Sequence, residues 1–175
     1  MAGGPMSGAP MSPPTGAPPT DVSSSGNKPS NITDFDVPEG WTAGGTTSIS
    51  RIAFVYSDDA GSAKFTATPL PASANRWEDN AARWAGQVGV ELSPEQVSAE
   101  TKTIQIDGQT AQCIELPPQA FTDEPTDLSG EGLIGVMVTD GDTAWFLKMA
   151  GDRKTVVDQR EAFFAFVESI KFGQE

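Results

Sequence analysis

The sequence predicts an α+β domain in which a twisted antiparallel β-sheet carries helices packed on its faces. Three observations support this class. Two predicted hairpins, each with a Gly in its turn, follow one another in the second half of the chain. One helical segment with an apolar stripe precedes them, and a Phe-rich helical segment follows. Neighbouring hairpins form antiparallel sheets, and an amphipathic helix buries its apolar side against such a sheet.

Composition limits the possible functions. The chain has 175 residues, a formal net charge of -13, no His and one Cys. A surface this acidic repels phosphate backbones and anionic lipid, so we expect no nucleic-acid partner. Without His the commonest general base and metal ligand is missing, and we expect no cofactor. Cys113 lies in an alternating apolar run and is interpreted as a buried small hydrophobic residue, the alternative being a reactive thiol.

The first segment, residues 1–31, predicts a disordered linker rich in Pro, Gly, Ala and Ser, followed by a single domain over residues 32–175. Such a segment buries too little apolar surface to offset its ordering entropy. Linkers of this kind often follow the anchor of an exported lipoprotein. We therefore expect a cell-envelope or periplasmic protein, with membrane contact only through an N-terminal lipid anchor that this sequence lacks. The alternative is a disordered tail on a cytoplasmic protein.

The strands are predicted from alternation and from turn residues. Pro38-Glu-Gly40 predicts a turn and Ser57–Gly61 another, while Asp107-Gly108 and Asp140-Gly-Asp142 predict hairpin turns. The loop 117–131 is long and acidic. The predicted strands are 35–38, 49–56, 63–68 (ended by Pro69 and Pro71), 102–106, 109–116, 133–139, 143–149 and a brief 171–172.

Three helices are predicted from periodicity and capping residues. In the first, Asn75 is the expected cap, with Glu78 as its reciprocal partner. Its apolar stripe comprises Trp77, Ala81, Trp84 and Val88, a polar stripe of Arg76, Asn80, Arg83 and Gln87 lies beside it, and Gly86 and Gly89 weaken and end it. The second helix begins with Ser93 as cap and Pro94 at its first position. The last spans 156–169, with Thr155 as cap and Asp158 completing the capping box.

Three segments resemble those of a group of uncharacterised bacterial envelope proteins similar to the PsbP/Mog1-like α/β sandwich. They are Asn80-Ala-Ala-Arg-Trp-Ala-Gly-Gln-Val-Gly-Val90, Trp145-Phe-Leu-Lys-Met-Ala-Gly-Asp152 with the later Ser169-Ile-Lys-Phe172, and Pro38-Glu-Gly-Trp41. The resemblance implies a twisted antiparallel sheet with helices on its faces. Members of that superfamily act mostly by binding other proteins, and they share no catalytic residues. This chain departs from the pattern at Ala82 and Ala85, where the group has polar residues.

The candidate binding residues come from the two Trp-containing segments. They are Arg83, Trp84, Gln87, Trp145, Lys148 and Asp152. In this hypothesis the two indoles form an aromatic wall and the cations supply cation–π contacts or hydrogen bonds. The alternative is that both Trp side chains belong to the core, because a Trp on an apolar helical stripe is usually a packing residue.

Carboxylate clusters offer weaker candidates. Asp123, Glu124, Asp127 and Glu131 lack the alternating spacing of a dedicated Ca²⁺ loop, so no metal site is predicted. We expect a non-enzymatic binding or assembly module that recognises a protein partner by its surface, with the linker setting its reach. One alternative is a secretion-chaperone-like domain that shields an apolar client segment. The other is a hydrolase that uses carboxylates and no His.

Overall fold

The fold is a mixed α/β domain built around one large antiparallel sheet. A computed structural model describes residues 30–45, 50–74 and 76–174. The strands are β1 (Ser30–Asp34), β2 (Thr42–Ala43), β3 (Ile52–Asp58), β4 (Gly61–Pro71), β5 (Lys102–Ile106), β6 (Gln109–Leu116), β7 (Glu131–Asp140), β8 (Thr143–Asp152) and β9 (Lys171–Gln174). The helices are α1 (Trp77–Gln87), α2 (Pro94–Glu100), α3 (Arg153–Asp158) and α4 (Arg160–Ser169).

Seven strands form the main sheet in the order β2-β3-β4-β8-β7-β6-β5, and β1 pairs with β9 in a separate two-stranded sheet. All pairings are antiparallel. Strand side chains alternate between the two faces of a sheet. One face of the main sheet packs against α1 and α2, and the opposite face carries α3 and α4.

The core on the α3–α4 face is the larger one and is rich in aromatic rings. Phe65 of β4 and Phe166 of α4 lie 4.8 Å apart, ring centre to ring centre, in an edge-to-face arrangement. Trp41 packs 5.3 Å from Phe166 and donates its Nε1–H to Oε1 of Gln159 at 2.9 Å. Phe65, Phe163 and Phe166 are fully buried. Rings of this size supply most of the apolar burial, and edge-to-face pairs add about 0.5–1.5 kcal/mol each.

The core on the α1 face is smaller and is organised by the predicted apolar stripe of α1. Trp77, Ala81 and Trp84 are buried there together with Ile114 and Leu133 from the sheet. The Nε1–H of Trp77 donates to Oγ1 of Thr101 at 2.8 Å, so its polar atom is satisfied. The helix therefore holds to β6 and β7 by one face, as its periodicity predicts.

Several strands differ from the sequence prediction at their ends. The first strand is Ser30–Asp34, not 35–38, and it begins two residues before the predicted domain boundary; residues 1–29 of the predicted linker lie outside the described residues. β3 begins at Ile52, and Ile49 is also outside the described residues.

β4 continues through Pro69 and Pro71, which were expected to end it. Ile52 pairs with Ala67, so the residues after Ala67 pair with β8 alone among the described strands. The carbonyl of Ala67 accepts the backbone N–H of Arg51, so the backbone groups of Ala67 point towards the β3 side. The backbone groups of every second residue along β4, which include those of Pro69 and Pro71, point the same way. Both proline nitrogens therefore point away from β8, so no hydrogen bond between β4 and β8 is lost. A strand tolerates proline at such positions.

The helix ends also differ. Arg76 is the N-cap of α1 and makes no side-chain cap bond, while the expected cap Asn75 lies outside the described residues. The last predicted helix is two helices, because the chain coils directly after β8 and Gln159 interrupts the regular pattern. Thr155 is thus an interior residue of α3 and no cap, and its buried Oγ1 has no hydrogen-bond partner among the described residues.

Other predictions are confirmed. Ser93 and Gln96 form a capping box at α2, and Pro94 is its first residue. Asp107 and Gly108 both have positive φ (50° and 82°), which a two-residue type I′ turn requires. Cys113 is fully buried on β6, and burial raises the pKa of its thiol to about 12, with the Glu115 carboxylate adding to the shift.

Candidate functional site

A small groove opens where α1 meets the uncovered part of the main sheet. We call it the α1 groove; its volume is about 160 Å³, and it is lined by Thr66, Thr68, Leu70, Arg83, Trp84, Phe146 and Lys148. Helices α1 and α2 lie over β6 and β7, so the β4 side of this face stays partly exposed. Ligand pockets for small molecules usually measure about 300–1,000 Å³, so this groove suits one side chain or one small anionic group.

The floor of the groove is aromatic and rigid. The Trp84 ring lies 6.0 Å from Phe146 and 6.0 Å from Trp77, with both pairs edge to face. Its benzene ring also rests on Gly135 of β7, where a Cβ would come within 2.2 Å of Cζ3 of Trp84. The glycine therefore makes room for the indole, and the indole holds α1 at a fixed distance from the sheet.

The rim of the groove is cationic. Lys148 projects from β8 and donates to Oε1 of Gln87 at 3.4 Å, a long hydrogen bond. Desolvation lowers the pKa of Lys148, and the positive charge of Arg83 lowers it further. Arg83 donates to Oδ1 of Asn80, and Nδ2 of Asn80 donates to the carbonyl of Arg76 at 2.7 Å. Asn80 is buried, so this chain of bonds orients the guanidinium.

Strand register adds a third cation to the same face. Lys64 precedes Thr66 and Thr68 at the alternate position of β4, and therefore shares their face of the sheet. Thr66 lies directly opposite Lys148, and Lys64 lies opposite Ala150, which makes Lys64 and Lys148 diagonal neighbours. Diagonal neighbours in a sheet are about 7–8 Å apart.

None of these three cations has an Asp or Glu oxygen of the described residues within 4.0 Å. Lys102, Arg153, Lys154, Arg160 and Lys171 each lie within 4.0 Å of an Asp or Glu oxygen. Within the described ranges Lys64, Arg83 and Lys148 form no such ion pair, and neither do Arg51 and Arg76, which do not line the groove. A chain with a net charge of -13 has carboxylates in excess, so Arg83 and Lys148 at the groove, with Lys64 on the same sheet face, form a local concentration of positive charge.

Two of the predicted site residues lie elsewhere. Trp145 is on the opposite face of the sheet from Trp84. It is next to Phe146 on β8, and neighbouring side chains of a strand point to opposite faces. The centres of the Trp145 and Phe172 rings lie 6.5 Å apart. Asp152 ends β8, and its Oδ2 accepts the backbone N–H of Ser62 at 2.8 Å. The structure thus brings together Arg83, Trp84, Gln87 and Lys148. The two indoles do not form one wall, and both are buried in separate cores.

The groove residues on β4 were missed from the sequence. Thr66 and Thr68 alternate with buried Phe65 and Ala67, so period-2 alternation places them on the other face with Lys64. That pattern was available in the sequence. What the sequence lacked was the pairing of β4 with β8, which sets Thr66 opposite Lys148.

A buried carboxylate was missed as well. Glu115 is 3% exposed, and its two oxygens meet Lys102 (2.5 Å) and Arg160. This carboxylate raises the pKa of Arg160, chiefly through their hydrogen bond. Its position on β6 follows the alternation of Ala111 and Cys113, which face α4. Glu115 is thus part of an ion-paired group that fastens α4 and β5 to β6.

The acidic loop has a structural arrangement of its own. Asp127 accepts bonds from the backbone and the hydroxyl of Ser129, which lower its pKa, and Arg153 lies 3.8 Å from its Oδ2. Across residues 30–45, 50–74 and 76–174, no group of three or more Asp, Glu or Cys side chains is close enough to hold a metal ion. No helix in the same ranges has the length and apolar character to cross a membrane.

Comparison with known proteins finds similarity in structure and none in family or curated sequence. No family model matches the chain, and no curated protein matches it. The chain is similar to a protein from Bacteroides thetaiotaomicron VPI-5482, whose crystal structure was determined at 1.50 Å resolution, with a TM-score of 0.45 and 12% identity. The alignment covers 85% of this chain and 49% of the other, so this chain spans about half the length of that protein.

Proposed function

We propose that the chain is a PsbP/Mog1-like binding module of the bacterial cell envelope, which recognises a protein partner through the α1 groove and the sheet face beside it. The observation that carries the proposal is the pair of cations without an ion pair among the described residues, Arg83 and Lys148, that line a groove with an aromatic floor, with Lys64 on the same sheet face. Aromatic and Arg side chains are enriched in protein interfaces.

The envelope location and the family are supported by the sequence resemblance and by the composition of residues 1–31. A Pro-rich segment of this length behaves as an extended spacer. Tethering a binding module in this way raises the effective concentration of a partner within its reach.

The two other functions predicted from the sequence gain less support. A chaperone for apolar segments needs an exposed apolar surface, whereas the α1 groove is rimmed by cations. Among the described residues the exposed large hydrophobic side chain is Val37, at 44%. A carboxylate-based hydrolase needs two carboxyl groups across a cleft. The α1 groove is lined by no carboxylate. Glu100 and Glu115 line a second small groove, but both oxygens of Glu115 are held by cations.

Site-specific photo-crosslinking tests the proposed surface. A photo-crosslinking amino acid replaces Thr66 in the groove, and in a second variant it replaces Glu168, an exposed residue of α4 on the opposite side of the sheet. Illumination in cells of the source organism should give a discrete adduct from position 66 that is absent from position 168. Adducts of equal yield from both positions, or none from position 66, would contradict the proposal.

A further inference from the structure

The polar groups of the α1 groove match a carboxylate. Thr66 and Thr68 supply hydroxyls, and Lys148 and Arg83 supply positively charged donors on two different elements, β8 and α1. Hydrogen bonds from charged donors to a carboxylate are about twice as strong as neutral ones. Leu70, Trp84 and Phe146 complete the lining, so an aliphatic stem next to the carboxylate would contact apolar surface.

The surroundings of the Lys148 ammonium favour a carboxylate ligand. Its ammonium is partly desolvated and lies near the charge of Arg83, and these two effects lower its pKa. The long hydrogen bond that its Nζ donates to Oε1 of Gln87 is its polar contact within the described part of the chain. A carboxylate that enters the groove would compensate both effects, because an opposite charge favours the protonated amine.

The spacing of the cations matches that of two acidic side chains on an extended peptide. Lys64 and Lys148 are diagonal neighbours, which places them about 7–8 Å apart at their strand positions. In an extended peptide, side chains two residues apart lie on the same side at about 6.5–7 Å. Acidic side chains at positions i and i+2 of an extended segment match this spacing and can give each lysine a carboxylate of its own.

We propose, on the basis of the function proposed above, that the occupant of the α1 groove is an extended acidic segment of the partner protein. One Asp or Glu of the segment contacts Lys148, Thr66 and Arg83, and a second, two residues along, contacts Lys64. Asp152 bounds the surface at its far end, where its Oδ2 accepts the backbone N–H of Ser62, two residues before Lys64 on β4. The overall charge of -13 repels acidic chains from most of the surface. The cations at the α1 groove therefore determine where an acidic segment binds.

Titration with defined peptides tests the proposal. The probes are a blocked five-residue peptide with Glu at positions 2 and 4 among glycines, the same peptide with Gln, and sodium acetate, each followed by calorimetry on the full chain. The Glu peptide should bind saturably and at least about tenfold more tightly than the Gln peptide, which corresponds to about 1.4 kcal/mol. Equal binding of the two peptides, no binding of either, or acetate as tight as the Glu peptide would each overturn it.

Charge-matched variants complete the test. Lys148→Gln and Lys64→Gln should each weaken the Glu peptide at least about threefold, a loss of about 0.7 kcal/mol. Lys154→Gln removes the same charge on α3, where Lys154 already pairs with Asp158, and should leave the affinity unchanged. Since Lys64 is exposed, its variant keeps the test valid if Lys148→Gln is unstable.

An equal loss from Lys154→Gln would overturn the proposal, because the effect would then be one of overall charge. The crosslinking experiment separates the two proposals. If position 66 captures a partner while the Glu peptide fails to bind, the surface is correct and the acidic segment is wrong. If position 66 captures nothing, the proposed function itself fails.

Discussion

Replacing Gly135 by Ala should displace Trp84 and destabilise the domain. A Cβ at this position would lie 2.2 Å from Cζ3 and 2.4 Å from Cε3 of the indole. Neither side can yield easily. Gly135 is in β7, between β6 and β8, and Trp84 is confined by Trp77 and Phe146.

Two opposing effects set the magnitude. Overpacking a core by one methyl group costs typically about 1–3 kcal/mol. Alanine recovers about 0.5–1 kcal/mol relative to glycine in a strand, because it restricts the unfolded chain. The 2.2 Å approach places the overpacking cost in the upper part of its range, about 2–3 kcal/mol. We therefore expect a net loss of about 1–2.5 kcal/mol, which lowers the melting temperature by roughly 2–10 °C for a domain of this size. Urea and thermal unfolding, followed by circular dichroism, measure both quantities.

Two further variants make the result specific. Gly86→Ala adds the same methyl group to α1, where no atom lies within 4 Å of the added Cβ, and it should stabilise by up to about 1 kcal/mol. Trp84→Phe removes the clashing part of the ring, so Gly135→Ala should cost less in that background than in the wild type. A stable Gly135→Ala variant, or an equal cost in both backgrounds, would refute this explanation of Gly135.

Three other predictions concern buried groups. Thr155→Val should stabilise the domain by about 1 kcal/mol in urea unfolding, because it removes a buried hydroxyl without a described partner; a loss of stability would show that the hydroxyl is satisfied. Cys113 should resist a thiol reagent at pH 8 until urea unfolds the chain, since its pKa is about 12 and it is fully buried; rapid labelling of the folded protein would contradict this. The double variant K102M/R160M should lose about 3–5 kcal/mol in urea, because Glu115 would stay buried without a counter-charge, and adding Glu115→Leu should recover part of that loss.

The antiparallel sheet with helices on its faces was predictable because the signals are local. The Asp107-Gly108 turn and the alternation on both sides of it determine a hairpin without information from elsewhere. Strand ends were less predictable. A proline ends a strand only if its nitrogen faces a paired neighbouring strand. Whether Pro69 does so depends on where β3 begins, because β3 is the neighbour on that side of β4.

Part of the candidate site was predictable for the same reason. Arg83, Trp84 and Gln87 share α1, so their relative positions follow from helical periodicity. Lys148 lies on the sheet face that α1 covers. Trp145 is three residues before Lys148 on β8, and because strand side chains alternate between the two faces, Trp145 points to the opposite face. The sequence alone gives no absolute assignment of faces, which only the pairing of β8 with β4 and β7 provides.

The two prolines at the end of β4 affect how this molecule meets copies of itself. Among the described strands, residues 68–70 pair with β8 alone, and such an edge invites an extended segment of another molecule to add on. Adding a strand there would require amide donors from positions 69 and 71, and both are prolines. This edge therefore cannot template a regular ladder, so a concentrated solution of the folded protein is protected at this point against intermolecular β-aggregation.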